Sequence, residues 1–569
     1  MSQKKTLLVL LLIGLVVYLN SLFNPFIWDD EQFIYKNQHI KNFEIDKIFS
    51  RSTTAGAGVD SNYFRPITSL TFAWDYQWWG LNPFGFHLTN TLLHIGVGIM
   101  IYLLFSRLNL DKKLSFGLAA LFLVHPIQTE AVSYINSRGD SLYAFFVLAG
   151  LLVLSQIFLK KKIVWQIYDK RIVIDRPMLL VMTTVCYILA ILSKEIAIVM
   201  LPLSFLVYWQ LLSIEKQKKQ DAFKLSSETS QTLKFRLKKN VTDTFFSSLF
   251  DKLRNQHSQI IVLLIILTVV ATSYLLMRKT VWNFVDSFNF YRTDSQLQSL
   301  SNQTNSYSSS LAVRLLTFNR SLYRYFGLLV FPYPLHMERD AAIETSFLTH
   351  WSMLSLALTS LIICVAVWEW RLKKSWWWLF GWGWFFCLML PVSGIVAING
   401  LFYEHWLYLP MVGFFLAIGN LINLLLRHIP KNQQAFYRFI RYFFIGWCTA
   451  LALLTIRQNY IWGDSVRFYE YTLSFSQSAR LFNNLAMTYA EREQDNQALE
   501  NYLKSLEYSN QYPQVYHNIG NLYLKQKNID EAERYFLQAL EINSGFYYSY
   551  QPLIQIYIYH QQNDKLKTC

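Results

Sequence analysis

A succession of apolar runs long enough to cross a lipid bilayer dominates this chain. They lie near residues 6–23, 88–106, 114–135, 140–159, 178–193, 196–212 and 259–277, then near 351–370, 375–392, 405–426 and 440–457. Hydrocarbon offers the backbone no water to bond, so runs of this kind must close their own hydrogen bonds as helices. The expectation is a mainly α, polytopic membrane domain of about eleven transmembrane helices. With 53% apolar and 17% aromatic residues against 16% charged, the chain has more apolar sequence than a water-soluble core requires.

Basic residues set the expected orientation. Lys4-Lys5, then Arg107 with Lys112-Lys113, then Lys160–Lys162 with Lys170, Arg171 and Arg176, occupy alternate loops, the pattern of cytoplasmic segments. The loop 213–258 continues it, with ten Lys and Arg against five Asp and Glu between Glu215 and Arg254. Charge alternation of this kind accounts for the net +15 without nucleic acid as a partner. Residues 6–23 resemble a signal peptide but lack a small-x-small cleavage site, so they are read as an uncleaved first span. The five cysteines have no metal-ligand spacing, and neither a structural metal nor a disulfide framework is implied.

Residues 311–332 strain the alternation. They form an amphipathic run whose Arg314, Arg320 and Arg324 cluster on one side of a helical wheel, suiting an interfacial or cavity-lining helix. Counting it as a crossing would move Arg371, Lys373 and Lys374 to the wrong side by the charge rule. The resulting expectation is eleven crossings over residues 1–460, with the N-terminus inside and the C-terminus outside; a twelve-crossing arrangement is the alternative.

From about residue 475 the composition becomes that of a soluble region, and a 34-residue period appears. Leu485, Tyr489, Ala498 and Tyr502 recur as Ile519, Tyr523, Ala532 and Phe536, while Ala486 and Ser505 recur as Gly520 and Ala539. This is the spacing of tetratricopeptide repeats, paired helices whose small residues allow close approach. Residues 475–569 are therefore expected to form a short α-helical solenoid of two clear repeats, with Tyr550, Leu553 and Tyr557 beginning a partial third.

Under the eleven-span topology the polar clusters that interrupt the apolar runs all fall outside. Asp29 and Asp30 open the first outer loop, 24–87, which also holds Tyr63-Phe64-Arg65-Pro66; a turn or helix cap is the plain alternative for the acid pair. The segment His125-Pro126-Ile127-Gln128-Thr129-Glu130 follows only about 16 Å of helix, which puts His125 and Glu130 near membrane depth. A water-filled cavity would accommodate them, as would a simple kink at Pro126. Arg138 and Asp140 extend the cluster. Lys194-Glu195 forms a hairpin tip, and Glu404-His405 opens the tenth span, with an ion pair and an aromatic girdle as their plain readings. His336, Glu338, Arg339 and Asp340 follow the arginine-bearing helix on the same side. Converging in one cavity, these groups have the chemistry for sugar transfer: cations hold a lipid-linked phosphate while a carboxylate takes a proton from an acceptor hydroxyl. Walker and dinucleotide fingerprints are absent from the sequence.

FNPFIWDDEQFI, YFRPITSLTFAWDYQWWGLNPFGFHLTNTLLH, LFLVHPIQTEAVSYINSRGDSL, LSKEIAIVMLPL and LPVSGIVAINGLFYEHWLYLP, together with the terminal repeats, resemble the transmembrane and tetratricopeptide-repeat O-mannosyltransferases and their bacterial relatives. The resemblance implies a GT-C glycosyltransferase fold and a polyprenyl-phosphate sugar donor, with mannose the expected sugar. It implies protein Ser or Thr hydroxyls as acceptors on the outer or lumenal face, and a catalytic acid at Asp29 or Asp30. Arg138, Lys194, Arg320, Arg324, His125, Glu130, Glu404 and His405 are expected to hold the donor phosphate or line its cavity. Neither a cofactor nor a metal is expected. Acceptors or protein partners would meet the repeats on the periplasmic face of a bacterial inner membrane, or on the lumenal face of the endoplasmic reticulum if the source is eukaryotic. A non-catalytic repeat scaffold for envelope assembly and a lipid or polysaccharide transporter are the competing readings.

Overall fold

The computed structural model describes residues 2–229, 260–278 and 307–560, apart from 60, 62, 160–162, 168–169, 175, 308, 340–341, 373–375, 397–399, 427–428 and 431–432. Asp340, Cys569, Lys160–Lys162, Lys373, Lys374 and much of the basic loop 213–258 lie outside the described residues.

Each of the eleven apolar runs contains a helix. Among the described residues, seven helices are long and apolar enough to cross a membrane by themselves: Gln3–Phe23, Pro83–Arg107, Ile135–Ile157, Glu195–Gln217, Ile260–Arg278, His350–Glu369 and Gln434–Trp462. Lys112–Val124 and Pro126–Val132 make an eighth if counted together, although they meet at a 54° bend. Pro177–Ser193, Trp377–Val392 and Pro410–Leu426 are apolar but shorter. The chain is a multi-pass helical membrane protein. A two-stranded hairpin, Ile163–Ile167 against Lys170–Ile174, occupies the stretch read from sequence as a basic loop.

Local sequence explains the helix ends. Asn82 caps Pro83–Arg107 by accepting from Phe84 N at 3.1 Å, with Pro83 at the first position, where its missing N–H costs nothing. Asp111 caps Lys112–Val124 through Lys113 N and Leu114 N. Helices Trp377–Met389 and Pro410–Leu426 approach closely because Gly381 and Gly413 face each other. A Cβ on Gly381 would lie 2.6 Å from Gly413 O, and one on Gly413 would lie 2.8 Å from Phe385 N.

The helix Leu311–Val330 forms where the amphipathic run predicts it. Its apolar side is built into the core: Phe326 packs on Trp382, Phe385 and Phe414, and Tyr325 stacks on Phe402 at 4.1 Å. Two pairs of repeat helices then follow, Ala479–Glu491 with Asp495–Tyr508 and Pro513–Lys525 with Ile529–Ile542, and Tyr550–Tyr559 continues the stack. Ala486, Ala498, Ser505, Ala532 and Ala539 are all completely buried, as their small size in the repeat predicts.

The helix that follows the last membrane span also has no counterpart in the sequence reading. Ser465–Leu473, capped by Asp464 on Arg467 N at 2.9 Å, joins the last membrane helix to the repeats. Its Phe468, Tyr469 and Leu473 share an apolar core with Ile27, Tyr134 and Met337 from membrane-domain loops and with Leu481 and Leu485 from the first repeat. The repeats thus pack directly onto the acid-bearing loop.

Candidate functional site

At the loop end of the bundle lies a cavity of about 1100 Å³. One part of its wall is apolar, made by Ile198, Val199 and Leu201 with Leu275, Leu276 and Ile395. The other part is charged, with Asp29, Arg65, Glu130, Lys194, Glu195 and His405 among its residues. A half-open space lined by both apolar and charged side chains suits an amphipathic molecule.

The acid pair divides its labour. Asp30 is 1% exposed; its Oδ2 accepts from Ile27 N at 3.0 Å and its Oδ1 from Asn136 N at 2.8 Å, so it clips the loop both to itself and to the segment after the membrane bend. Asp29 faces the other way and opens into the cavity. Enclosure by protein pushes its carboxyl up to about 6, against the favourable charge of Arg480 and a hydrogen bond from Tyr134. Burial pushes Asp30 further, to about 8, despite its two backbone donors. As pH rises Asp29 therefore ionises first, and it is the carboxylate that lines the cavity. A pair of acids with separated pKa values is the arrangement acid–base chemistry uses.

Three ion pairs line the same wall. Arg65 grips Glu195 with two bonds, Nε to Oε2 at 3.0 Å and Nη2 to Oε1 at 2.8 Å, and lies over the Tyr63 ring at 4.7 Å. Lys194 Nζ donates to both oxygens of Asp140 at 2.7 Å. Glu130 accepts from His405 N at 3.0 Å and meets His405 Nδ1 at 2.7 Å, joining the membrane bend to the loop before Pro410–Leu426. A guanidinium and an ammonium have more N–H donors than these carboxylates occupy, so each cation can still bond an anionic head group.

Of the residues expected from sequence to line this cavity, Asp29, Lys194, Glu130 and His405 do so, while Asp30, Arg138, His125, Glu404, Arg320 and Arg324 are not on its wall. Arg138 is fully buried: it pairs with Asp75 at 2.6 Å, donates to Asn90 Oδ1 at 2.6 Å and to Phe86 O at 2.9 Å, and lies 4.4 Å from the Phe72 ring centroid. Those bonds tie helix Pro66–Trp79 of the first loop to helix Pro83–Arg107. His125 accepts at Nδ1 from Ile127 N, which leaves Nε2–H to donate to Leu329 O at 3.0 Å, so both ring nitrogens are engaged. Glu404 accepts from His336 N and Arg339 Nε at 2.9 and 2.8 Å. Arg320 pairs with Glu344 at 3.4 Å and Arg324 donates to Tyr323 OH, both away from the cavity. The reason is common to all of them. Polar groups placed within a membrane bundle must find partners, and long side chains find them in neighbouring helices.

The wall also holds residues that the sequence reading did not assign to it, Arg278 and Arg480. Nothing local marked Arg480, because it reaches the cavity only through the packing of the repeats. Among the described residues, no group of three or more His, Cys, Asp or Glu is arranged to hold a metal ion.

Comparison with known proteins agrees with the repeat assignment: the tetratricopeptide-repeat family model matches residues 477–545. Protein O-mannosyl-transferase TMTC3 of Mus musculus is 37% identical over 139 residues, which is 24% of this chain and 15% of that protein. Protein O-mannosyl-transferase TMTC2 of Homo sapiens is 36% identical over 150 residues, 25% of this chain and 17% of that protein. Protein O-mannosyl-transferase F38B6.6 of Caenorhabditis elegans is 31% identical over 156 residues, 26% of this chain and 23% of that protein. The chain thus matches under a quarter of the length of each of these relatives. Among solved structures, the oligosaccharyltransferase AglB of Archaeoglobus fulgidus, in complex with an inhibitory peptide and a dolichol-phosphate, aligns over 87% of this chain and 59% of its own at 14% identity, with a TM-score of 0.37. Over about a quarter of its length this multi-pass chain with C-terminal tetratricopeptide repeats is similar to protein O-mannosyl-transferases.

Proposed function

We propose that this chain is an integral-membrane glycosyltransferase of the GT-C type that moves a sugar, mannose in the first instance, from a polyprenyl-phosphate donor to a protein Ser or Thr hydroxyl. The observation that carries the reading is the cavity: Asp29 lines a chamber that also holds Arg65, Lys194, Arg278 and Arg480 among other charged groups, together with apolar side chains such as Ile198, Leu201, Leu275 and Ile395. The mannosyl-transferase relatives support the reaction class.

The donor's lipid tail lies along Ile198, Leu201, Leu275 and Ile395, and its phosphate is held by Lys194 and Arg65. Asp29 takes the proton of the acceptor hydroxyl. The hydroxyl oxygen then bonds to the anomeric carbon as the sugar–phosphate C–O bond breaks, and the electron pair leaves on the phosphate. Cations beside the departing phosphate stabilise the charge that develops there. A single in-line displacement of this kind inverts the anomeric centre and needs no covalent intermediate on the enzyme. The site faces the periplasm or lumen, and the repeats lie on the same side as acceptor or partner surface.

The purified full chain in lipid nanodiscs, given a polyprenyl-phosphate mannose and a Ser/Thr-rich peptide, should yield mannosylated peptide by intact mass. Asp29→Asn should lower the rate of product formation by roughly 10²–10⁴-fold. Transfer at near wild-type rate in the variant removes Asp29 as base, and absence of product with any polyprenyl-phosphate sugar sinks the enzyme reading. Retained cellular function in Asp29→Asn, with loss on deleting 475–569, would instead support a scaffold. In sealed vesicles whose cytoplasmic face points outward, a tag placed after residue 560 is expected to be protected from added protease, and its cleavage from that cytoplasmic side would overturn the assigned face.

A further inference from the structure

The cavity that holds Asp29 is not built by the membrane domain alone. Trp28, the residue before it, has a φ of 60°, a left-handed backbone that a bulky side chain adopts only where its surroundings impose it. Those surroundings come from the C-terminal region. The Trp28 ring lies edge-on to Phe468 at 6.5 Å and tilted on Tyr469 at 5.9 Å, with the Arg480 guanidinium 5.6 Å from its centroid. Arg480 is the second residue of the first repeat helix, Ala479–Glu491, and pairs through Nε with Glu338 Oε1 at 2.8 Å. Ser478, which caps that helix on Leu481 N, donates its hydroxyl to Glu338 Oε2 at 2.9 Å. Glu338 is itself left-handed, with φ of 53°.

Two unfavourable backbone conformations thus sit on the membrane-domain side of one joint, and the repeat helix engages both through its first turn. Arg480, Glu338, Trp28 and Asp29 all line the cavity. We infer that the seating of the first repeat helix sets the orientation and charge state of Asp29, with Arg480 as the positioning residue that couples them. The inference rests on Asp29 as the base of the proposed reaction. The charged and titratable groups around Asp29 are Arg480 from the repeat, Glu338 from the loop after Leu311–Val330, Tyr134 from the membrane bend, Tyr469 from the linking helix and Asp30 from its own loop. Arg480 is the cation in this set whose charge favours the ionised base, and Glu338 opposes it. The repeats are then a part of the reaction centre as well as a surface beside it, and a partner that shifts them would change the rate.

The test is the pH profile of kcat/KM for mannosyl transfer by the full chain, with wild type, Arg480→Gln, Arg480→Lys and Glu338→Gln compared. Arg480→Gln should move the acid limb upward by roughly half a unit to one unit, the size of one nearby charge's influence. Arg480→Lys should bring the limb back toward wild type, and Glu338→Gln should move it downward. A uniform loss of rate in Arg480→Gln with an unmoved limb would mean that Arg480 only packs, and would overturn the inference. If that variant does not fold, an unmoved limb in Glu338→Gln does the same. Asp29→Asn separates the two levels: if it transfers at near wild-type rate, the assignment of the base fails, whereas a large loss of rate together with unmoved limbs refutes only the coupling.

Discussion

Replacing Arg138 by Met separates two roles that one buried arginine can have. The sequence places Arg138 in a polar cluster and suggests a phosphate ligand; the structure buries it completely, with Asp75 at 2.6 Å and Asn90, Phe86 O and the Phe72 ring around it. Removing the guanidinium leaves the Asp75 carboxylate, whose side chain is 8% exposed, as a buried charge without its ion-pair partner. Breaking a buried pair in this way costs about 3–5 kcal/mol. With an unfolding entropy of about 2.1 cal/mol/K per residue and a cooperative unit of roughly 200 residues, that lowers Tm by roughly 7–12 °C. The assay is thermal unfolding of the detergent-solubilised protein, paired with transfer kinetics well below Tm. The double variant Arg138→Met with Asp75→Leu should recover much of the loss, since no lone charge then remains, and its transfer activity should follow its stability. An Arg138→Met protein with unchanged Tm but no transfer would refute this reasoning and return Arg138 to the donor site.

Four further outcomes are expected. Asp29→Asn should lower kcat by roughly 10²–10⁴-fold, the usual contribution of a general base, with Tm unchanged in the same unfolding scan. Because enclosure pushes Asp29 up to about 6 and a base must be ionised to act, transfer should fall as pH drops through that value and level off above it, as read from kcat/KM against pH. Asp30→Ala should cost about 1–3 kcal/mol by stranding Ile27 N and Asn136 N, and should lower activity through the displaced loop, seen as faster hydrogen exchange over residues 27–36. Gly413→Ala would place a Cβ 2.8 Å from Phe385 N and 2.9 Å from Trp384 Cβ, where backbone cannot yield, and should cost about 1–3 kcal/mol in the same thermal scan.

Periodic features were the ones legible in advance. The apolar runs became helices because a membrane leaves the backbone no other solution, and the 34-residue repeat became helix pairs because Ala498 and Ala532 admit close neighbours. Lys194 and Glu130 reached the cavity because each sits at a break between apolar segments, and a break in a span is where backbone and side chains can meet a water-filled space. Arg320 and Arg324 show where that reasoning stops. Their spacing put them on one helical face, but rotation of the helix about its axis was decided by Phe326 packing among Trp382, Phe385 and Phe414. Arg320 then meets Glu344 and Arg324 meets the hydroxyl of the adjacent Tyr323, and neither arginine is on the cavity wall.

By itself, the sequence determined that the chain is a polytopic helical protein, that its C-terminal region is a short repeat solenoid, and that an acid pair opens the first large loop. Each of these follows from local patterns of hydrophobicity or from a period, which are properties of neighbouring residues. Which acid faces the cavity was a tertiary decision: Asp30 turned inward because Asn136, 106 residues away, offered it an N–H, and that left Asp29 to line the cavity. Arg480 reached the cavity for the same kind of reason, through a core shared by the first loop, the linking helix and the first repeat. Contacts between segments this far apart depend on how whole elements pack, and no spacing along the chain encodes them.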